Sequence, residues 1–165
     1  MKNPYLIEVY SPQSELVPLD DYFNKEENIS FLPEEIIDDI KYCLLETKVD
    51  NENIAIIYAL DETIEFMNKI LDKYEIVYKV EQIRKQIYYG DYPFEVTEEF
   101  KKSLEGVFFL TLTLDEILEK IKDKGINSIG DIEREILVSS TLDISSRTIY
   151  SYENFYYRET IKYFS

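Results

Sequence analysis

The sequence predicts an α+β fold, a single compact domain in which a mixed sheet of about four to six strands carries about four helices. Short apolar runs bounded by turn residues, which are typical of buried strands, alternate with segments whose apolar residues recur every three or four positions, which is typical of helices. The length of 165 residues fits one domain, residues 1–165, and a hydrophobic fraction of 45% can form a core.

The predicted strands are four short runs rich in β-branched and aromatic residues. They cover residues 5–10, 54–59, 75–80 and 107–112. The second and third runs flank a helical segment through tight connections, which indicates a βαβ unit. No Gly or Pro interrupts residues 62–89, so one long helix there is the competing interpretation.

The predicted helices cover residues 33–46, 62–73, 98–105 and 114–124. Pro33 suits the first turn of a helix because its missing N–H has no partner there in any case. Thr113 and Glu116 form a capping-box pattern, and Gly125 fits the end of that helix. Gly106 is expected to end the helix over 98–105. Residues 131–139 fit a helix or a strand equally well.

The predicted core consists of apolar residues on the inward side of these helices and strands. These residues are Ile36, Ile40, Leu44, Ile56, Ile64, Met67, Leu71, Phe100, Leu104, Phe109, Leu118 and Ile121.

Charge is concentrated in an acidic segment, residues 8–40, which contains ten carboxylates and only one cation, Lys25. The whole chain has a formal net charge of −16. Such a surface repels nucleic acids and anionic membranes and attracts basic proteins. The four arginines are scattered, so we expect no direct binding to nucleic acid.

The helix over 33–46 is the candidate binding element, because its apolar stripe leaves an acidic face outward. We predict partner-binding residues on that face and in the loop before it. They are Asp20, Asp21, Glu34, Glu35, Asp38, Asp39 and Tyr42.

The sequence lacks the residues that several kinds of catalysis and cofactor binding require. It has no histidine, one cysteine and four glycines that form no phosphate-binding motif. Cys43 falls on the apolar face of its helix, where a thiol is structural. We therefore expect a protein that is not an enzyme and that holds no cofactor and no metal ion. The absence of a secretory or membrane segment predicts a cytoplasmic protein.

The residue pattern leaves four functional hypotheses. The first is a non-catalytic inhibitor or immunity-type protein that neutralises a basic toxin, nuclease or other effector, with aromatic anchors among its 15 Tyr and 9 Phe. The second is a phage-type DNA mimic that blocks a restriction or CRISPR nuclease. The third is an enzyme that uses carboxylates and a divalent ion. The fourth is an assembly subunit, and the sequence does not determine an oligomeric state.

Overall fold

The computed structural model describes residues 1–10, 23 and 25–138. Their sheet has four strands: β1 (Lys2–Val9), β2 (Leu44–Lys48), β3 (Asn51–Leu60) and β4 (Tyr78–Gln82). The helices are α1 (Glu26–Ile29), α2 (Glu34–Tyr42), α3 (Asp61–Lys73), α4 (Arg84–Tyr88), α5 (Glu98–Thr111), α6 (Leu114–Lys124) and α7 (Asp131–Val138), with a 3-10 turn at Ile126–Ser128. The predicted α+β class is confirmed.

β1 is an inner strand of the sheet, whose order is β2-β3-β1-β4. Ile7 lies opposite Ala55 of β3 on one side and opposite Val80 of β4 on the other, and both pairings are antiparallel. β3 and β4 therefore run parallel to each other with β1 between them. All neighbouring strands are antiparallel, where we expected a mixed sheet, because β1 separates the two strands of the predicted βαβ unit.

The connectivity follows from this strand order. The elements β1, α2, β2, β3, α3 and β4 occur in the sequence β-α-β-β-α-β, and α3 connects β3 to β4 across β1. This is the split βαβ arrangement of ferredoxin-like folds.

One face of the sheet packs against α2 and α3. Side chains alternate along a strand, so Ile7 and Val9 of β1 share a face with Ala55 and Ile57 of β3. Helical residues with spacings of three and four cover this face. They are Ile36 and Ile40 of α2, and Ile64, Met67, Ile70 and Leu71 of α3.

The chain divides into two compact units, Met1–Phe100 and Lys101–Ser165. The first unit contains the sheet, α2 and α3. In the second unit, Ile117, Ile129 and Ile136 form a small buried cluster that joins α6 to α7. No described helix combines the length and the apolarity that crossing a bilayer requires. The expected single domain stays a prediction.

The strand predicted over 107–112 is wrong, because α5 continues through Gly106 to Thr111. Phe100, Leu104, Val107 and Phe108 are buried at spacings of three and four. An apolar run alone fits a buried helix as well as a strand, and here the wider spacing selects the helix. Gly106 lies within the helix and does not end it.

The helix predicted over 33–46 is shorter than expected and ends at Tyr42. Cys43 is extended, with φ −64° and ψ 148°, so the chain leaves the helix there. The following residues form β2, which pairs with β3 as a hairpin. β2 escaped prediction because Leu44 also continues the helical spacing of Ile36 and Ile40.

The other local predictions have clear outcomes. The capping box of Thr113 and Glu116 is confirmed, and Gly125 ends α6 with φ +88°. The helix over 62–73 is confirmed, and the long helix over 62–89 is wrong because β4 interrupts it. Residues 131–138 form a helix.

Most of the predicted core is confirmed. Ile36, Leu44 and Ile121 are partly buried. The assignment of Leu118 to the core is wrong, because its side chain on α6 is 49% exposed. The side chain of Phe109 lies outside what the structure describes. The fully confirmed residues are Ile40, Ile56, Ile64, Met67, Leu71, Phe100 and Leu104.

Two identical substitutions test this assignment of the core. Leu71→Ala, at a site with no exposed surface, should lower the free energy of unfolding by roughly 2–5 kcal/mol because it leaves a cavity. Leu118→Ala should change it by less than about 1 kcal/mol, since the side chain is half exposed. Urea unfolding measures both values, and equal losses would contradict the assignment.

Candidate functional site

α2 presents three exposed carboxylates of the acidic segment, and two more, Glu26 and Glu27, are exposed on α1. Pro33 precedes the helix, and its carbonyl accepts the N–H groups of Ile36 and Ile37 at 3.0 and 3.1 Å. Glu34 and Glu35 occupy the first turn, where the helix dipole favours negative charge. The sequence thus begins the helix where its carboxylates are most stable.

The outward face of α2 contains Glu34, Glu35, Asp38 and Tyr42. The carboxylates have no ion pair or side-chain hydrogen bond within residues 1–10 and 25–138. Tyr42 is 69% exposed at the last residue of the helix. A helix rises ~1.5 Å per residue, so this stripe extends over about 12 Å. These predicted site residues are therefore together and accessible.

Asp39 does not belong to that face. It is 4% exposed, and its Oδ1 lies 2.6 Å from the ammonium nitrogen of Lys2 at the start of β1. Its Oδ2 accepts the backbone N–H of Leu60, the last residue of β3, at 2.8 Å. The expectation that the Asp39 side chain is exposed is wrong, because its carboxylate fixes the helix to the sheet. Its assignment as a partner-binding residue stays a prediction.

Helical geometry explains why two adjacent carboxylates differ. At about 100° per residue, Asp39 lies roughly 60° from Ile36 and 40° from Cys43, whereas Asp38 lies on the opposite side of the helix. Asp39 is thus at the margin of the buried stripe. The same calculation from sequence would have identified it as the carboxylate that faces the sheet.

An exposed aromatic residue, Phe31, lies three residues before the start of α2. Phe31 is 71% exposed, and its ring meets the ring of Phe66 on α3 edge to face, with centroids 6.2 Å apart. Sequence reasoning did not identify Phe31; its position directly before the Leu32-Pro33 helix start was the available signal. We call Phe31, Glu34, Glu35, Asp38 and Tyr42 the α2 acidic surface. Asp20 and Asp21 lie outside the described residues.

A polar cluster ties α1 to the end of α3 beside this surface. Asn28 is buried; its Oδ1 accepts from the Lys73 ammonium at 3.1 Å, and its amide donates to the Tyr74 hydroxyl at 3.4 Å. Tyr74 donates in turn to Glu27 at 3.1 Å, and the Lys25 ammonium lies 5.0 Å from its ring centroid. These contacts hold the segment that leads into α2.

A second polar cluster lies at the start of α3. Asp61 Oδ1 accepts from the Tyr5 hydroxyl at 2.6 Å and from the Asn3 amide at 3.3 Å. Burial and the bond to Asp61 raise the pKa of Tyr5 to about 12, so its hydroxyl keeps its proton. The same hydrogen bonds hold the pKa of Asp61 below its ordinary value of 3.8. This cluster links β1 to the start of α3.

The described residues present few reactive groups. Among residues 1–10 and 25–138, no three Asp, Glu or Cys side chains are grouped so that they could hold a metal ion. Cys43 is half-buried, with its Sγ 3.5 Å from the carbonyl oxygen of Ile40.

Comparison with known proteins adds no family to this description. No protein-family model, no curated protein and no solved structure matches the chain. The α2 acidic surface is the feature on which a functional proposal can rest.

Replacing single carboxylates of α2 by amides tests the structural role of Asp39. Asp39→Asn should lower the free energy of unfolding by about 1–3 kcal/mol, because it removes the charge that faces Lys2 in a buried setting. Asp38→Asn is the matched control and should change it by less than about 0.5 kcal/mol. A double-mutant cycle with Lys2→Met should assign most of the loss to this ion pair. A loss at Asp38 as large as that at Asp39 would contradict the account.

Asp61 should contribute to stability in a pH-dependent manner. A carboxyl group with a lowered folded-state pKa stabilises the fold above its unfolded pKa of 3.8, and this contribution is lost as the pH falls through the folded pKa. The melting temperature of Asp61→Asn should therefore lie a few degrees below that of the unchanged protein at neutral pH, and the two should converge in strong acid. A difference that persists in acid would contradict this assignment.

Proposed function

We propose that this chain is a non-catalytic binding protein that neutralises a basic partner, such as a toxin or a nuclease, through the α2 acidic surface. The observation that carries the proposal is the combination, on one short helix and the residues just before it, of accessible carboxylates that have no partner in the described part of the chain with exposed aromatic rings. The two kinds of side chain have different roles in protein recognition, and each role has a separate test.

The carboxylates would act mainly on the rate of association. The formal net charge of −16 attracts a basic protein over long range, and unpaired surface charges orient it on approach. Among residues 1–10 and 25–138, Glu34, Glu35 and Asp38 have no ion-pair partner that a binding protein would first have to displace. Lys41 is the one cation on α2, so the helix remains acidic overall.

The aromatic rings would supply the buried anchors of the complex. Phe31 precedes α2 and Tyr42 ends it, so the carboxylates lie between two large exposed side chains. Such rings become hot spots when a partner covers them, because they bury a large area at a low cost in side-chain entropy. A surface that imitates DNA phosphates has no need of them, so they favour a protein–protein complex.

The surface is also preorganised for binding. Ile40 packs into the core, and Asp39 joins α2 to β1 and β3. Both apolar packing and polar contacts therefore hold the inner side of the helix in place. A rigid helix loses little conformational freedom when it binds. This favours an inhibitor-type complex in which the partner docks on a preformed face.

Two triple charge-reversal variants that change the net charge by the same amount, one on α2 and one on α5, test the role of the carboxylates. The triple variant Glu34→Lys, Glu35→Lys, Asp38→Lys should slow association with the partner at least about 10-fold. The control Glu98→Lys, Glu99→Lys, Glu105→Lys changes the same net charge on α5, also with two acids in a first turn, and should have little effect. The partner is first captured from the source lysate on the immobilised chain, and rates are then measured with the purified partner.

Equal slowing by both triple variants would show that only total charge matters and would contradict the assigned surface. If the captured protein is a nuclease whose DNA competes for the same site, the function becomes that of a DNA mimic. The proposal is overturned if the immobilised chain retains no protein whose capture is lost in the Glu34, Glu35 and Asp38 variant.

The aromatic anchors should act on dissociation instead. Phe31→Ala and Tyr42→Ala should each weaken the complex by about 1–3 kcal/mol, mainly through a faster off-rate. Tyr10→Ala, which removes another exposed ring, is the control and should leave the off-rate unchanged. Surface plasmon resonance with the purified partner measures all three values. If Tyr10→Ala weakens the complex while Phe31→Ala and Tyr42→Ala do not, the interface lies elsewhere.

A further inference from the structure

β4 is an edge strand whose outward backbone groups can be identified. Tyr10 donates its N–H to the carbonyl of Val77 at 2.8 Å, and Ile83 donates to the carbonyl of Pro4 at 3.0 Å. Backbone groups alternate in direction along an antiparallel strand, so positions 77, 79, 81 and 83 bond toward β1. The N–H and C=O groups of Tyr78, Val80 and Gln82 therefore point away from the sheet.

These outward groups have no hydrogen-bond partner in the described part of the chain. The side chains of Lys79, Glu81 and Gln82 are exposed beside them. β2, at the other edge of the sheet, carries an irregularity between Thr47 and Lys48. Such irregularities hinder pairing at an edge, whereas β4 pairs with β1 in a regular register. Within the described sheet, β4 is therefore the edge at which another strand can add.

The sequence of β4, Tyr-Lys-Val-Glu-Gln, is self-complementary about its middle residue. A two-fold axis at Val80 would place Lys79 of one copy opposite Glu81 of the other, twice. Within one chain these side chains already attract each other, with 3.2 Å between the Lys79 ammonium and a Glu81 oxygen. Opposite charges on facing positions of antiparallel strands stabilise the pairing.

We propose that β4 pairs antiparallel with β4 of a second copy of this chain, which joins two four-stranded sheets into one. Val80 would pair with its counterpart, and Tyr78 with Gln82 of the other copy. Each of these pairs exchanges two backbone hydrogen bonds, and all the donors and acceptors are the outward groups identified above. This contact is separate from the α2 acidic surface, so it stands or falls independently of the proposed function.

The pairing has a limited strength, which determines how it must be measured. β4 has five residues, and two chains that each carry −16 repel one another. The contact belongs at the weak end of protein interfaces, and association should become visible between about 10 and about 500 μM chain. Sedimentation equilibrium over this range measures the dimer fraction. Hydrogen exchange by NMR measures protection of the Val80 amide at the same concentrations.

A proline substitution tests the backbone contact. Val80→Pro removes an N–H that points outward, so it keeps every hydrogen bond to β1 and suits an edge strand. The dimer dissociation constant should rise at least about 10-fold, while the melting temperature stays close to that of the unchanged chain. In the unchanged chain, exchange of the Val80 amide should slow as concentration increases, and that of a core amide such as Ile7 should not change.

Charge exchange tests the register. Glu81→Lys and Lys79→Glu should each remain monomeric, because each variant places like charges opposite one another at the two-fold axis. An equimolar mixture of the two variants should form a heterodimer, and the double variant should form a homodimer again. Lys79→Glu also faces Glu8 of β1, so its melting temperature is measured in parallel.

The proposal is overturned if the unchanged chain stays monomeric up to about 500 μM, because even a dimer with a Kd of about 1 mM would be populated there. It is also overturned if Val80→Pro or Glu81→Lys dimerises as well as the unchanged chain, because the contact then lies elsewhere. Failure of the two charge variants to associate when mixed would contradict the two-fold register.

Discussion

The Asp39 carboxylate is the contact on which the position of the candidate site depends. One oxygen pairs with Lys2 at the start of β1, and the other accepts the backbone N–H of Leu60 at the end of β3. Lys2 and Leu60 lie opposite each other in the sheet, so a single side chain joins α2 to the first pair of residues in the β1–β3 ladder. Without this anchor, α2 would be held by Ile40 and its partly buried neighbours alone.

The anchor divides the charges of α2 into two groups. Asp39 faces inward, where it pairs with Lys2 and accepts the N–H of Leu60, whereas Asp38, one residue earlier, is exposed and has no partner among the described residues. A buried carboxylate is stable only when it is paired and hydrogen-bonded, and both conditions are met here. The remaining carboxylates of the helix are solvated, so they cost the fold little and remain available to a partner.

The sequence predicts those features that depend on local spacing and capping. The capping box at Thr113 and the helix over 62–73 follow from contacts within a few residues, and both are confirmed. Local spacing does not predict the full helix over 98–111, because an apolar run such as residues 107–112 carries the same local signal in a strand and in a buried helix. The place of β1 between β3 and β4 depends on long-range pairing, which no local pattern specifies.

The candidate site shows the same division between local and long-range information. Glu34, Glu35, Asp38 and Tyr42 were predicted as exposed from helical periodicity, and they are exposed. Helical geometry places Asp39 at the margin of the buried stripe, but its partners, Lys2 and the N–H of Leu60, follow only from the way β1 and β3 meet beside α2. Phe31 was missed because it lies outside any periodic segment, and its exposure depends on how the chain turns before Pro33.

Hydrogen exchange of the chain in complex with its captured partner tests the central claim most directly. The account predicts that amides in and beside α2, residues 31–42, exchange more slowly in the complex, while those of α6 and α7 are unchanged. Protection confined to α6 and α7, or absent from residues 31–42, would contradict the claim that the α2 acidic surface is the binding site.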